Sequence, residues 1–331
     1  MSLTRPTADT ARPGVGRAVA VLVLVAVAAL IPLLGPRVAL DGTGEAVAPG
    51  VGGITVLRTV LFAALCVPAG ELFAAWLGRR LPGAPGEAPR SWAPYAAAAG
   101  FLAALGLASL VATGNLVPRS PADIDFGGLY ETRDGKLALL EVNAFAAAGL
   151  CALSRRPATQ GWPLAVVAVA EALRAHPSTE HDPLVGSGLT LVHVVCAALW
   201  AGGLFHVLRT LRRWGPTDAT GAGAALLGLY ARVAAVLLAA ITATGVWSTL
   251  RRMPPDTVME QLTATAYGRT LLGKVLLVAV VAVLALIARV RLARVSDPLS
   301  ACSPARAEVA VLGAVVAVSA LLTALPVPIR W

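Results

Sequence analysis

The chain has 331 residues, of which 57% are apolar and only 14% charged, with a mean hydropathy of +0.75. That balance excludes a soluble domain of this length and makes the bilayer the solvent for most of the chain. The formal net charge of +9 does not mark a nucleic-acid binder, because the arginines sit in short clusters between apolar segments and form no basic stripe or tail.

Lys136 and Lys274 are the only lysines, and this bias toward arginine, with abundant Ala and Gly, fits a bacterium with a GC-rich genome. Cys66, Cys151, Cys196 and Cys302 form no CxxC or other metal spacing, so free thiols are expected. Methionine is scarce, and a thioether site would have to rest on Met253 and Met259.

A membrane span needs about 20 apolar residues, and such runs occur at about 18–36, 54–77, 94–116, 136–154, 161–175, 184–208, 222–249, 268–289 and 307–325. The predicted fold class is therefore all-α, a polytopic transmembrane helical bundle of about nine spans, or eight if the first is a cleaved signal peptide. No A-x-A-like cleavage site follows that first run convincingly. The fifth run is the shortest, and at ~1.5 Å per residue it falls short of the ~30 Å hydrocarbon thickness unless its flanks contribute. No internal repeat appears, and the stretch LPGAPGEAPR (81–90) reads as a loop within one bundle.

Loop charge gives an orientation, because cytoplasmic loops carry the excess of Lys and Arg. Arg5, Arg12 and Arg17 precede the first run, and Arg79, Arg80 and Arg90 follow the second. Arg155 and Arg156 follow the fourth, Arg209, Arg212 and Arg213 follow the sixth, and Arg289, Arg291, Arg294 and Arg306 surround the last inner loop. The alternate loops are acidic or mixed, Arg251 and Arg252 being the exception. A cytoplasmic N-terminus and an extracytoplasmic C-terminus follow.

An ionised group inside hydrocarbon costs about 2.5–3.5 kcal/mol on insertion scales, so such groups face a partner or a wet cavity. Glu71, Glu171, His193, Arg232 and Lys274 fall in the runs, while Arg58 lies near an outer end and can snorkel. His176, His181 and His193 gather on the extracytoplasmic side, with His193 ~13 Å down the sixth run, whereas His206 lies near the inner end. His193, Cys196 and Trp200 fall at i, i+3 and i+7 and share a helix face. An imidazole beside a soft sulfur suits copper, Cu(I) over Cu(II). The alternative for His193 is a hydrogen bond to a neighbouring helix, and for Trp200 close packing beside Gly202 and Gly203. Glu71 and Glu171 read either as relay carboxylates on a transport path or as ion-pair partners of Arg232 and Lys274. Met253 and Met259, on an outer loop, read as thioether ligands or as incidental. No GxGxxG, P-loop, HExxH or GxSxG occurs, so no enzyme is expected, and energy for transport must come from a gradient or from outside the chain.

The segment LVHVVCAALWAGGL (191–204) resembles the H-x6-W-x-G-G-L helix of the bacterial CopD family, associated with copper resistance and copper uptake. AHPS (175–178), ARVAAVLLAAITATGVWSTL (231–250), TAYGRTLLGKVLL (265–277) and RAEVAVLGAVVAVSALLTALPVP (306–328) resemble further segments of that family in the same order. VLRTVLFAALCVPAGELFAAWL (56–77) is a weaker echo. The sequence departs from the pattern in its few outer methionines and in Ala288-Arg289, where the family has an Asn-Arg pair.

The resemblance implies a CopD-like transmembrane domain at 161–331 after an N-terminal four-helix transmembrane region at 1–160. It implies a permease of the bacterial cytoplasmic membrane moving copper ions, with His176 and His193 as ligands, His181 as a third, Trp200 shaping their cavity, and a periplasmic copper-binding protein of the CopC type as partner. Two alternatives are a b-type haem protein for electron transfer and a non-transporting copper-delivery or assembly subunit.

Overall fold

The structure, a computed structural model, describes the backbone of residues 29–46, 49–114, 120, 125–176, 182–215, 220–253, 255–294 and 298–326, and the side chains of all of these but 220 and 291–304. Its regular structure is helical throughout: α1 (Ala29–Leu40), α2 (Val51–Gly78), α3 (Ala93–Ala112), α4 (Phe126–Glu131), α5 (Arg133–Leu153), α6 (Gly161–Arg174), α7 (Pro183–Trp214), α8 (Thr220–Arg252), α9 (Val258–Ala264), α10 (Ala266–Arg294) and α11 (Pro298–Ala324). Among the described residues seven helices are long and apolar enough to cross a membrane, namely α2, α3, α5, α7, α8, α10 and α11. Each coincides with an expected run.

The two remaining runs differ. The first, 18–36, lies mostly outside the described residues, which retain α1 of it. The fifth is α6, of 14 residues, preceded without a break by the 3₁₀ turn Pro157–Gln160. At ~1.5 Å per α-helical and ~2.0 Å per 3₁₀ residue the combined element is roughly 29 Å long, and α6 is not among the seven helices long and apolar enough to cross.

Local chemistry sets the ends of the helices beside the cavity described below. Thr132 caps α5, its hydroxyl accepting from the Gly135 N–H at 3.0 Å. Pro183 occupies the first turn of α7, where its missing N–H costs nothing, and Gly215 with φ 73° terminates the helix. Arg133, at the start of α5, donates to the Leu173 carbonyl at 2.8 Å and the His176 carbonyl at 3.3 Å, satisfying the free end of α6.

Two apolar cores share α7. One, around Leu61, Phe145 and Val167, joins α2, α3, α5, α6 and α7; the other, around Trp200, Leu204, Leu226 and Leu312, joins α7, α8, α10 and α11 with the C-terminal half of α2. The helices approach through small residues, as membrane bundles require. At the α2–α7 crossing a Cβ on Gly70 would meet the Gly202 backbone, and one on Gly202 would meet the Cys66 carbonyl. Tyr230 of α8 donates its hydroxyl to the Trp200 carbonyl at 2.7 Å, fixing the other flank of α7. Tyr230→Phe is expected to cost about 1 kcal/mol, a typical net hydrogen bond, measurable as a lowered Tm of the purified protein.

The two ends of the bundle differ in chemistry. At one, Arg209 donates to the Arg90 carbonyl at 2.6 Å and lies over the Trp92 ring, and Arg213 pairs with Glu87 at 3.2 Å. At the other, α2, α6, α7, α8, α10 and α11 splay around a cavity.

Candidate functional site

The cavity has a volume of about 390 Å³, with Arg58, Glu171, Arg174, Thr190, His193, Arg252, Tyr267, Lys274 and Ser319 among its polar lining and Trp200 on its wall. His193 and Trp200 thus face the same space, as the i, i+7 spacing on α7 predicts. Cys196 does not join them: it packs beside the Trp200 core, because the i+3 position is rotated away from the cavity toward neighbouring helices.

His193 is held by α8. The Thr244 hydroxyl donates its one proton to the Ala240 carbonyl at 2.7 Å, with the Ile241 carbonyl at 3.1 Å, so toward His193 it acts as acceptor. The Nδ1 of His193, 3.1 Å from that oxygen, is therefore the protonated ring nitrogen. With the proton on Nδ1, Nε2 keeps its lone pair. An oriented imidazole with one nitrogen held by a hydrogen bond and the other free is the arrangement in which histidine ligates metals.

His176 stands one layer back. It is 2% exposed, its Nε2 is 2.9 Å from the Thr190 hydroxyl, and its ring lies against Gly186, where a Cβ would meet Nδ1 at 2.5 Å. It reaches the cavity through Thr190, which lines it, and is not itself in the lining. His181 lies outside the described residues. Among the described residues no group of three or more His, Cys, Asp or Glu is placed to hold a metal ion.

The acidic candidates part company. Glu171 lines the cavity and pairs with Arg58 at 3.0 Å, so its partner is the arginine expected to snorkel, and neither Arg232 nor Lys274. Arg232 is exposed on α8. Behind Glu171, Arg174 pairs with Glu141 at 2.8 Å, and Glu141 is fully buried in α5. Glu71 lies toward the arginine-rich end, where it accepts from the Trp92 N–H at 3.2 Å, away from the cavity. His206 is at that end too, buried, with Nδ1 3.3 Å from Arg209 and its ring edge-on to Phe205.

The two methionines are also separated. Met253 is fully buried against Tyr267 and Leu322, whereas Met259 is 74% exposed on α9.

Two lining residues, and one behind the lining that holds His193, were not singled out from sequence. Thr244 is a helix-interior threonine whose role appears only when α8 lies against α7. Arg174 sits in the first AHPS-flanking turn, where it reads as an interfacial charge, yet its side chain is 10% exposed. Cys66 lines the cavity near its floor, its carbonyl abutting Gly202, nine residues or ~13 Å further along α7 than His193.

Residues 224–322 match the family described as CopD: Copper resistance protein D. The match takes in all of α9 and α10 and most of α8 and α11, with Thr244, Arg252, Lys274 and Ser319, and begins after α7. No curated protein and no solved structure shows a significant match to the chain. An all-helical bundle with seven long apolar helices, whose last third forms half of a polar cavity and carries this signature, is a multi-span membrane protein with a CopD copper resistance domain at residues 224–322.

Proposed function

We propose that the protein is a copper permease of the bacterial cytoplasmic membrane and that copper is taken into the cavity at His193. The observation carrying this reading is His193, held at Nδ1 by Thr244 and facing a polar cavity half built by the copper resistance domain. Imidazole suits copper in either oxidation state, and the Cys66 thiol deeper in the same cavity favours Cu(I) for onward movement. His176 supports His193 through Thr190, and His181 is positioned by sequence to join from the loop after α6. No catalytic step is needed for this role.

Nine spans with a cytoplasmic N-terminus turn the arginine-rich end of the bundle to the cytoplasm and the cavity to the outside, in keeping with the positive-inside rule. The cavity then faces the compartment from which a CopC-type carrier would deliver the ion. In this reading residues 161–331 carry the copper-handling helices, and the region 1–160 buttresses them, contributing Arg58 and Cys66 from α2.

The test is copper accumulation in cells and Cu(I) flux in proteoliposomes. His193→Ala is expected to abolish both, and Thr244→Val, which leaves the imidazole but removes the group that orients it, to weaken copper binding by about 10- to 100-fold. Accumulation and flux at wild-type levels in His193→Ala would sink the reading. Tight copper binding without flux in the wild type would assign the protein to copper delivery instead.

A further inference from the structure

The cavity carries an excess of positive charge that the copper reading does not use. Four of its lining side chains are cationic, Arg58, Arg174, Arg252 and Lys274, against the single carboxylate of Glu171. Glu171 answers Arg58, and Glu141 behind the wall answers Arg174. That leaves Arg252 and Lys274, for which no carboxylate lies within ion-pair distance among the described residues. Arg252 is at the mouth, where it donates to the Tyr267 hydroxyl at 3.0 Å. Lys274 is two helical turns, ~10 Å, deeper along the same face of α10, walled by apolar side chains such as Val278 and Ile241. An ammonium held in such surroundings without a counter-charge is costly, and an anion beside it removes most of that cost.

We propose that the cavity is an anion site in which Lys274 binds a small monoanion, of the short-chain carboxylate class, with Arg252 drawing it in from the mouth. The apolar walls favour a weakly hydrated monoanion with a small hydrocarbon part over a strongly hydrated dianion. Charge alone carries the proposal, and it holds whatever else the cavity transports.

The experiment uses the full chain in lipid nanodiscs, freed of metal by a chelator, with acetate or formate replacing gluconate at constant ionic strength. The Tm of the wild type is expected to rise with the logarithm of acetate concentration, by linkage to the folded state. Lys274→Met should weaken the apparent acetate affinity by at least about tenfold, while Lys274→Arg and Lys136→Met, at an exposed position, keep the response. A Tm indifferent to acetate, or a response unchanged in Lys274→Met, would overturn the proposal. Should Lys274→Met fail to fold, equilibrium dialysis of the wild type against radiolabelled acetate decides: stoichiometric retention displaced by formate supports the site, and no retention overturns it. Because the readouts are metal-free, their failure leaves the copper reading untouched.

Discussion

Arg174→Ala is expected to destabilise the bundle by about 3–5 kcal/mol, the cost of stranding a buried charge when its partner is removed. The stranded group is Glu141, whose side chain is 1% exposed and which has Arg174 at 2.8 Å as its counter-ion. The neighbouring Glu171, paired with Arg58, lies within side-chain hydrogen-bond reach of Glu141, and its charge adds to the repulsion that Arg174 offsets. Unfolding in mixed micelles, followed by tryptophan fluorescence, measures the loss. Adding Glu141→Gln removes the stranded charge and should restore most of the stability, which separates charge stranding from lost packing of the arginine stem. A single-mutant effect below about 1 kcal/mol, the range of exposed pairs, would show that water reaches the pair.

The second large effect is expected at Gly202. A methyl group there runs into the Cys66 carbonyl, and the atoms it meets are helix backbone, which cannot swing aside as a side-chain tip can. Gly202→Ala must push α2 and α7 apart along the seam that joins the two cores, and a cost at or above the upper end of the usual 1–3 kcal/mol for overpacking is expected, about 3 kcal/mol. A lowered Tm and a lowered yield of monodisperse protein would register it. Gly188→Ala provides the control on the same helix, for no atom lies within 4 Å of its would-be Cβ. That variant should match or exceed the wild type, because alanine is the better helix former.

Much of the fold was legible because hydropathy acts on whole segments: seven apolar runs became the seven long helices, and even the short fifth run was recognised by length. The cavity was less legible. Spacing on one helix placed His193 and Trp200 on one face, which the geometry repeats, but the same reasoning included Cys196, since a stripe on a helical wheel is wider than the sector that a cavity exposes. Ion pairs between helices were beyond reach. Arg58 and Glu171 are 113 residues apart, and nothing in the chain marks them as partners. Glu141 was passed over because it sits near the start of its run, where a carboxylate is ordinarily solvated. Met253 and Met259 looked like a pair in sequence and separate because the chain turns between α8 and α9, burying one and exposing the other.

The cavity also reshapes the electric field of the membrane. Water filling it would carry the potential of its own side down to Trp200, leaving the nine residues from there to Arg209, ~13 Å of α7, as the insulating layer. A membrane voltage is worth about 2.3 kcal/mol per elementary charge per 100 mV, and most of that drop would fall across this remaining stretch. A charge arriving at His193 would sense little of the voltage, and one passing Trp200 would sense nearly all of it.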